Sequence, residues 1–455
     1  MASTIVSRTQ SGSESAAGRR TWTFSCWFKR NGLSSSQELF GTDANGARSN
    51  NYNIIDFNSS DQLDFSGYES GTTFRKITNR KFRDTNAWYH LVIAFDTTQS
   101  TADDRIKIYI NGVQETSFGT STNPAQDHQS KFFSSGKIHA FGRSSQTFDG
   151  VISHCHATEG TAYAPTVFGS TDATTGEWKI NTSPSVSYGT NGFFLFKNDN
   201  AVTNQAGNSS GNFAVTAGTL TKTEDNPSNV FCTLNGNIPQ AGGLNGRDSN
   251  VSASLDNGNT TGGEGAAVFS NQLGTIFASS GKYYAECKFG GDQYCSFGVA
   301  SPNFSDASLG SYPGASITGV NTAGIYGNGG IARVNGSTIF TDSNITTDTI
   351  CLAMDLDNGA LYIRRNDSAW MNSGNPESGA TKTGAITLPS DTYTWIVTSH
   401  NNSGSGRNYM KVNFGNGYFG TTAVSSAGTN ASGIGIFEYD VPAGYTALST
   451  KGLNE

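Results

Sequence analysis

Charged residues, prolines and long apolar runs are all scarce in this chain of 455 residues. Charged side chains make up 14% of it, and it contains 10 prolines. No apolar run is long enough to cross a bilayer, so we expect no membrane insertion. The formal net charge of -7 disfavours nucleic acid as a partner, because nucleic acids are bound by basic surfaces.

The N-terminal residues predict no secretory signal. Residues 1–10 lack the apolar stretch that such a signal requires. We therefore expect the protein to be made and folded in a cytosol, from which it could still leave as part of a particle.

The six cysteines form no Cys-x-x-Cys pair, which excludes a zinc-knuckle or dithiol redox signature. Cys287 and Cys295 flank the turn that begins at Gly290 and share strand parity. A disulfide across a hairpin and two buried thiols are both compatible with this spacing, and a reducing compartment favours the thiols.

Period-two alternation of apolar side chains is the strongest pattern that is present. Leu91, Ile93 and Phe95 share one parity in the segment 88–96, and the segment 105–110 alternates in the same way. Alternation of this kind marks a strand with one face on a core. The pair Asn111 and Gly112 then favours a tight turn.

The distribution of such segments predicts an all-β protein with two antiparallel β-sandwiches. Strand patterns fill residues 1–198 and residues 251–455. Between them, residues 199–250 are rich in Asn, Gly, Ser and Thr and have few strand patterns, so we interpret this segment as an irregular connector.

Both strand-rich units resemble known classes of sandwich. Residues 88–96 and 105–114 resemble strands of the laminin G-like branch of the concanavalin A-type jelly rolls. Residues 281–286, 295–300 and 348–362 resemble strands of SPRY domains, with Cys-Leu-Ala at 351–353 where that family usually has Gly-Val-Ala. The two resemblances imply recognition modules, only some of which are enzymes.

A resemblance along nearly the whole chain is to virion-associated proteins of marine tailed bacteriophages. It is carried by residues 20–30, 82–90, 168–179, 226–235 and 437–448. The order of laminin G-like sandwich, connector and SPRY-like sandwich is typical of that group. The resemblance implies a virion protein, made in the cytoplasm of an infected bacterium, whose partners include other virion proteins.

The carboxylate pattern of the concanavalin-like glucanases is missing. Those enzymes carry an acid and a nucleophile on one strand, with the spacing Glu-x-Asp-x-x-Glu, and no such string occurs here. Carboxylates from distant positions can still meet in space. We nevertheless expect a protein that is not an enzyme, with polysaccharide depolymerase as a disfavoured alternative.

Two sets of residues are candidates for binding a metal. His154 and His156 share one face of a predicted strand and could begin a zinc site, although hydrogen-bonded strand histidines explain them better. Calcium is implied by the laminin G-like resemblance, and Asp96, Asp103 and Asp104 are its local candidates. Each is also a turn-forming or solvated carboxylate. We expect no required cofactor.

Two tryptophans are candidates for ligand binding. Trp27 lies on the strand parity opposite to Trp22 and Phe24, among Ser and Thr, and Trp370 lies in the polar loop 366–375. An indole beside amide and carboxylate groups can stack on a sugar or cover a neighbouring subunit. The alternative interpretation is that each tryptophan plugs the side of its own sandwich.

The combined prediction is a non-enzymatic virion component, most consistent with a tail fibre, spike or appendage adhesin. Its partner would be a host-surface glycan or protein. A capsid decoration or cement protein is the alternative. We expect a homo-oligomer, specifically a trimer, since phage fibres and spikes are commonly threefold and the chain contains no coiled-coil pattern.

Overall fold

The computed structural model describes residues 4–43, 50–197, 201–208, 210–235, 254–256, 261–264, 270–290, 294–303, 312–399 and 408–454. Its two compact units are Met1–Lys222 (unit 1) and Thr223–Glu455 (unit 2). The described elements are almost entirely antiparallel strands, which confirms the predicted all-β class.

The described residues of unit 1 form sixteen strands and one short α-helix, α1 (Ala16–Arg20). The strands are β1 (Ile5–Thr9), β2 (Thr21–Arg30), β3 (Gln37–Thr42), β4 (Asn51–Phe57), β5 (Gln62–Glu69), β6 (Thr72–Lys81), β7 (Tyr89–Asp96), β8 (Ile106–Ile110), β9 (Val113–Gln114), β10 (Phe118–Thr122), β11 (Ile138–Phe141), β12 (Gly150–Glu159), β13 (Gly169–Thr171), β14 (Trp178–Ile180), β15 (Phe193–Leu195) and β16 (Ala214–Ala217).

Two sheets of unit 1 enclose one hydrophobic core. The eight-stranded sheet has the order β10-β6-β5-β4-β3-β11-β1-β16, and the six-stranded sheet has the order β15-β12-β2-β7-β8-β9. The core takes Trp22, Phe24 and Ile93 from the second sheet and Phe40 and Phe65 from the first, so the sheets face each other. The alternation predicted for residues 88–96 and 105–110 therefore marks β7 and β8 correctly.

Unit 2 contains the remaining strands in the described part of the chain. They are β17 (Ser254–Asp256), β18 (Thr261–Glu264), β19 (Ser270–Leu273), β20 (Lys282–Lys288), β21 (Ser296–Ala300), β22 (Thr322–Tyr326), β23 (Ile331–Val334), β24 (Ser337–Phe340), β25 (Thr349–Asp355), β26 (Ala360–Arg365), β27 (Ile386–Thr387), β28 (Thr394–Ser399), β29 (Asn408–Asn413), β30 (Tyr418–Phe419), β31 (Thr422–Ala423) and β32 (Thr446–Ala447).

Unit 2 also pairs an eight-stranded sheet with a six-stranded one. The main orders are β17-β18-β29-β20-β25-β26-β27 and β19-β28-β21-β22-β23-β24, and β32 adds to β20. One core contains Leu352 from the first sheet and Phe297 and Trp395 from the second. A further buried cluster contains Tyr284 together with Phe437, which belongs to the C-terminal segment.

The unit boundary differs from the predicted connector at residues 199–250. Strand β16 pairs with β1 in unit 1, whereas Phe231 forms a bridge with Ser449 in unit 2. The described residues of the predicted connector are thus divided between the two units. These pairings could not be predicted from the composition, because β16 is only four residues long and most of its residues are exposed. Residues 236–250 lie outside the described part.

All six cysteines are buried free thiols. Burial, and then the neighbouring Cys295 thiol, raise the pKa of Cys287. Of the two alternatives that the spacing of Cys287 and Cys295 allowed, the structure contains the thiols. Residues 291–293 of the turn between them lie outside the described part.

Candidate functional site

Trp370 lies in the loop that follows β26, where its half-buried ring packs on a cation. The chain turns back after β26, so that Trp370 forms an isolated bridge with Arg364. The guanidinium carbon of Arg364 is 5.0 Å from the centroid of the Trp370 ring and 5.7 Å from that of Tyr439. Such cation–π contacts fix the position of the indole. We call these three residues, together with Asp367, the Arg364 site.

Hydrogen bonds hold the Arg364 guanidinium in place. Its Nη2 donates to the hydroxyl of Tyr284 at 3.1 Å and to the carbonyl oxygen of Asp440 at 2.9 Å. Its Nη1 is 3.9 Å from Oδ1 of Asp367, whose side chain is 76% exposed. The Asp367 carboxylate is therefore both distant and solvated, so it contributes little to holding Arg364.

A buried carboxyl group lies behind Arg364. Glu286 is fully buried in β20, and its Oε1 accepts a hydrogen bond from the Tyr284 hydroxyl at 3.2 Å. Its two oxygens also accept the backbone N–H groups of Glu438 and Tyr439, each at 2.9 Å, and the side-chain amide of Asn413 at 3.1 Å. Burial raises the pKa of Glu286 to about 7, although these hydrogen bonds act in the opposite direction.

The loop that carries Trp370 is polar and locally strained. Asn366, Asn372 and Ser373 have φ values of 50°, 56° and 54°. Left-handed backbone is tolerated best by Asn among the non-glycine residues, and clusters of it occur at functional sites. An indole backed by a cation, beside exposed amide and carboxylate groups, can stack on the apolar face of a sugar ring while its neighbours bond the hydroxyls.

Trp27, the other predicted binding residue, is only 4% exposed. It lies on the outer face of the six-stranded sheet of unit 1, as its parity predicts, and it stacks on His90 with a centroid distance of 4.7 Å. The hairpin of β13 and β14 brings Trp178 to the same place, where its Nε1 donates to Nδ1 of His90 at 2.9 Å. A hairpin about 150 residues further on covers this face, which agrees with the interpretation that Trp27 packs against the side of its own sandwich.

The three aspartates predicted to bind calcium make separate contacts within the protein. Asp96 Oδ1 accepts the backbone N–H of Thr98 at 3.1 Å, which is a turn-forming contact. Asp103 accepts a hydrogen bond from Asn123, and Asp104 forms an ion pair with Lys107 at 3.1 Å. Among the described residues, no group of three or more His, Cys, Asp or Glu is suited to a metal ion. The turn-forming and solvated interpretation accounts for all three.

The two strand histidines of β12 are hydrogen-bonded within the protein. A bulge lies between Ser153 and His156, and His154 has a φ of 45° there. Ser153 bonds His154 at 2.8 Å, and the Tyr188 hydroxyl bonds His156 at 2.8 Å. Burial lowers the pKa of His154 to about 4. These contacts agree with the structural interpretation of the two histidines.

The structure also assembles a row of carboxylates that the sequence analysis missed. Asp56 of β4 is the cross-strand partner of both Glu38 of β3 and Asp64 of β5. Arg75 forms a bidentate ion pair with Asp64, and Arg143 lies 3.5 Å from Glu38. A search for two carboxylates on one strand could not find this row, because each member belongs to a different strand.

A family model described as the concanavalin A-like lectin/glucanases superfamily matches residues 7–167. This range lies within unit 1 and covers the strands from which the laminin G-like resemblance was drawn. No curated protein matches the sequence. The part of the chain that the structure describes contains no helix long and apolar enough to span a membrane.

Several solved structures are distantly similar. The SPRY domain of human HERC1 is 14% identical over 36% of this chain and 94% of its own, with a TM-score of 0.27. Domains LG4-5 of the mouse laminin alpha1 chain are 8% identical over 90% of this chain and 85% of their own, also with a TM-score of 0.27. The pentraxin of Limulus polyphemus is 13% identical over 35% and 77%, with a TM-score of 0.24. Likenesses of this degree carry no argument about function.

Proposed function

We propose that this protein is a non-enzymatic adhesin of a tailed-bacteriophage virion, which binds a glycan on the bacterial surface through the Arg364 site. The observation that carries the proposal is the half-buried Trp370 ring, fixed on Arg364 beside an exposed polar loop. The match of residues 7–167 to a superfamily that includes lectins supports a binding role. The virion origin rests on the sequence resemblance alone.

Weak single sites are expected from this arrangement. Each neutral hydrogen bond to a sugar hydroxyl contributes about 1 kcal/mol net, so a site with one indole and a few polar groups binds a sugar loosely. Several copies on one particle then supply avidity of roughly a hundredfold or more. A trimer, which is the assembly expected for a phage fibre, would carry three copies of the site.

The carboxylate row of unit 1 favours binding over hydrolysis. Retaining glycosidases need one carboxylic acid and one carboxylate with free access to the substrate. Asp64 accepts hydrogen bonds from both Nε and Nη2 of Arg75, and its side chain is 5% exposed. Release of reducing sugar from a bacterial surface polysaccharide would refute this part of the proposal.

Binding of the fluorescently labelled full-length protein to an array of bacterial surface polysaccharides tests the proposal. Trp370→Ala should lower the retained signal about tenfold or more, because the stacking surface is lost. Tyr109→Ala is the matched control, since Tyr109 is a half-buried aromatic residue on β8 of unit 1. It should bind like the wild type.

The same assay separates the alternatives. An equal loss in both variants, or unchanged binding by Trp370→Ala, would contradict the Arg364 site as the binding surface. A chelator arm tests whether a divalent cation bridges the acidic protein to an anionic polysaccharide. No binding to any polysaccharide, together with a copy number on purified particles that matches the capsid lattice, would assign the chain to capsid decoration.

A further inference from the structure

One wall of the Arg364 site belongs to the C-terminal segment and not to the sheet. Tyr439 and Asp440, which contact Arg364, follow Phe437 and Glu438 in a stretch without strand or helix. Phe437 packs edge-on against Tyr284, with ring centroids 4.9 Å apart. We call residues 437–440 the cover segment.

Two neighbouring backbone N–H groups of the cover segment bond the same buried side chain, while the Phe437 carbonyl accepts the N–H of Gly428 at 3.0 Å and the Asp440 carbonyl accepts from Arg364. The Glu286 carboxyl group accepts the N–H groups of both Glu438 and Tyr439, each at 2.9 Å. Glu286 is fully buried, and the same carboxyl group reaches Arg364 through the Tyr284 hydroxyl. The position of Tyr439 over Arg364 therefore depends on Glu286.

We propose that Glu286 is a positioning residue for the Arg364 site, and that loss of its proton loosens the cover segment and with it the Tyr439 wall. The coupling between Glu286 and the segment stands on the geometry. That the segment encloses a ligand site rests on the function proposed above.

Several other titratable groups face Glu286. They are Tyr284 on its own strand, Cys351 on β25 and Tyr439 on the cover segment, with Arg364 on β26 lying behind Tyr284. Burial raises the pKa of the Cys351 thiol to about 12, and burial also raises the pKa of Tyr284 and Tyr439. Glu438 is paired with Lys288 at 2.9 Å. Glu286 is thus the member of this group with a raised pKa near neutrality.

The direction of the effect follows from the difference between the closed and open states. With the segment closed, burial raises the pKa of Glu286 from 4.5 to about 7. With the segment open, water reaches the carboxyl group and its pKa returns towards 4.5, so the proton is bound more tightly in the closed state. Closure is therefore strongest below pH 4.5 and is weakened as the pH rises through 7. The opening equilibrium should increase by about two orders of magnitude over this range.

The neutral form also has suitable partners. A protonated Glu286 can donate its O–H to the Tyr284 oxygen at 3.2 Å, while the two backbone N–H groups still find carboxyl oxygens. The ionised form keeps every hydrogen bond but carries its charge in a buried position, where Arg364 reaches it through the Tyr284 hydroxyl.

Hydrogen exchange of the full-length protein, read by mass spectrometry on peptides that cover residues 436–448, tests the proposal without a ligand. Rates corrected for intrinsic exchange should rise about tenfold or more between pH 5.5 and pH 8 in the wild type. In Glu286→Gln, which is neutral at every pH, this slope should disappear. Peptides that cover β28 should show no such slope in either protein.

Glu377→Gln is the matched control, because Oε1 of the exposed Glu377 accepts the N–H of Ala443 in the same C-terminal stretch. It should keep the wild-type slope. A slope that survives in Glu286→Gln would overturn the proposal. A wild-type slope of zero would also overturn the proposal, and that measurement does not depend on whether any variant folds. Absence of polysaccharide binding would leave both exchange results intact and would count against the proposed function alone.

Discussion

The two candidate tryptophans begin from similar sequence surroundings and end in opposite situations. Trp27 has polar residues on its own strand parity and Trp370 lies in a polar loop, yet Trp27 is 4% exposed and Trp370 is half-buried. A hairpin that follows much later covers the first, whereas the cover segment borders the second without enclosing it. Exposure of an aromatic residue on a sheet is therefore decided by the segments that return to that face, and strand parity gives only the face.

A second difference between the units is their histidine content. Five of the six histidines lie in unit 1. Burial lowers the pKa of His90 and His139 to about 3 and that of His154 to about 4. In unit 2 burial instead raises the pKa of Glu286 to about 7. The units should therefore respond to acid with opposite sign.

A fall in pH should have the largest effect on the stability of unit 1. A histidine with a lowered folded-state pKa contributes stability that is present above its unfolded value of 6.5 and is lost as the pH falls towards the folded value. The three buried histidines should together cost unit 1 on the order of 10 kcal/mol between pH 7 and pH 3. Corrected hydrogen exchange in peptides that cover β12 measures this. Protection of β12 that stays constant down to pH 4 would contradict the predicted difference between the units, as would an equal loss of protection in the cover segment.

Removal of each indole in turn should show that Trp27 and Trp370 contribute differently to stability. Trp27→Ala should lower the free energy of unfolding by about 3 to 5 kcal/mol, because a fully covered side chain is lost and a cavity remains. Trp370→Ala should cost about 1 kcal/mol, since its ring is half-buried and its main contact is the Arg364 cation. Urea denaturation of the two variants gives both values. Equal losses would show that Trp370 is a core residue and not a binding surface.

Trp178→Phe should have the smallest effect and the most specific one. It removes the hydrogen bond to His90 but keeps an aromatic ring over that face, so about 1 kcal/mol should be lost. Urea denaturation of this variant measures the loss. An unchanged free energy of unfolding would mean that the hydrogen bond to His90 does not stabilise unit 1.

The period-two pattern was sufficient for the fold because each sheet buries one face. Alternation located β2, β7 and β8, and it placed Trp22 and Phe24 in the core. It could not find the Glu38, Asp56 and Asp64 row, since cross-strand register is set by turns and bulges far apart in the sequence. Glu286 was passed over for a similar reason. Nothing in its own strand indicates that backbone groups 150 residues later will donate to it.

Strand β1 lies between β11 and β16, and this position has a consequence for how unit 1 is synthesised. Ser7 and Thr216 bond each other at 3.0 Å through their hydroxyl groups, although 209 residues separate them. Until Ala217 has left the ribosome, the outer edge of β1 has no strand to pair with and can add a strand from another nascent chain. The time before β16 pairs with β1 is long, because contacts between residues so far apart in the sequence form late in folding. Unit 1 is therefore exposed to misassembly during translation, at the edge that its last strand later closes.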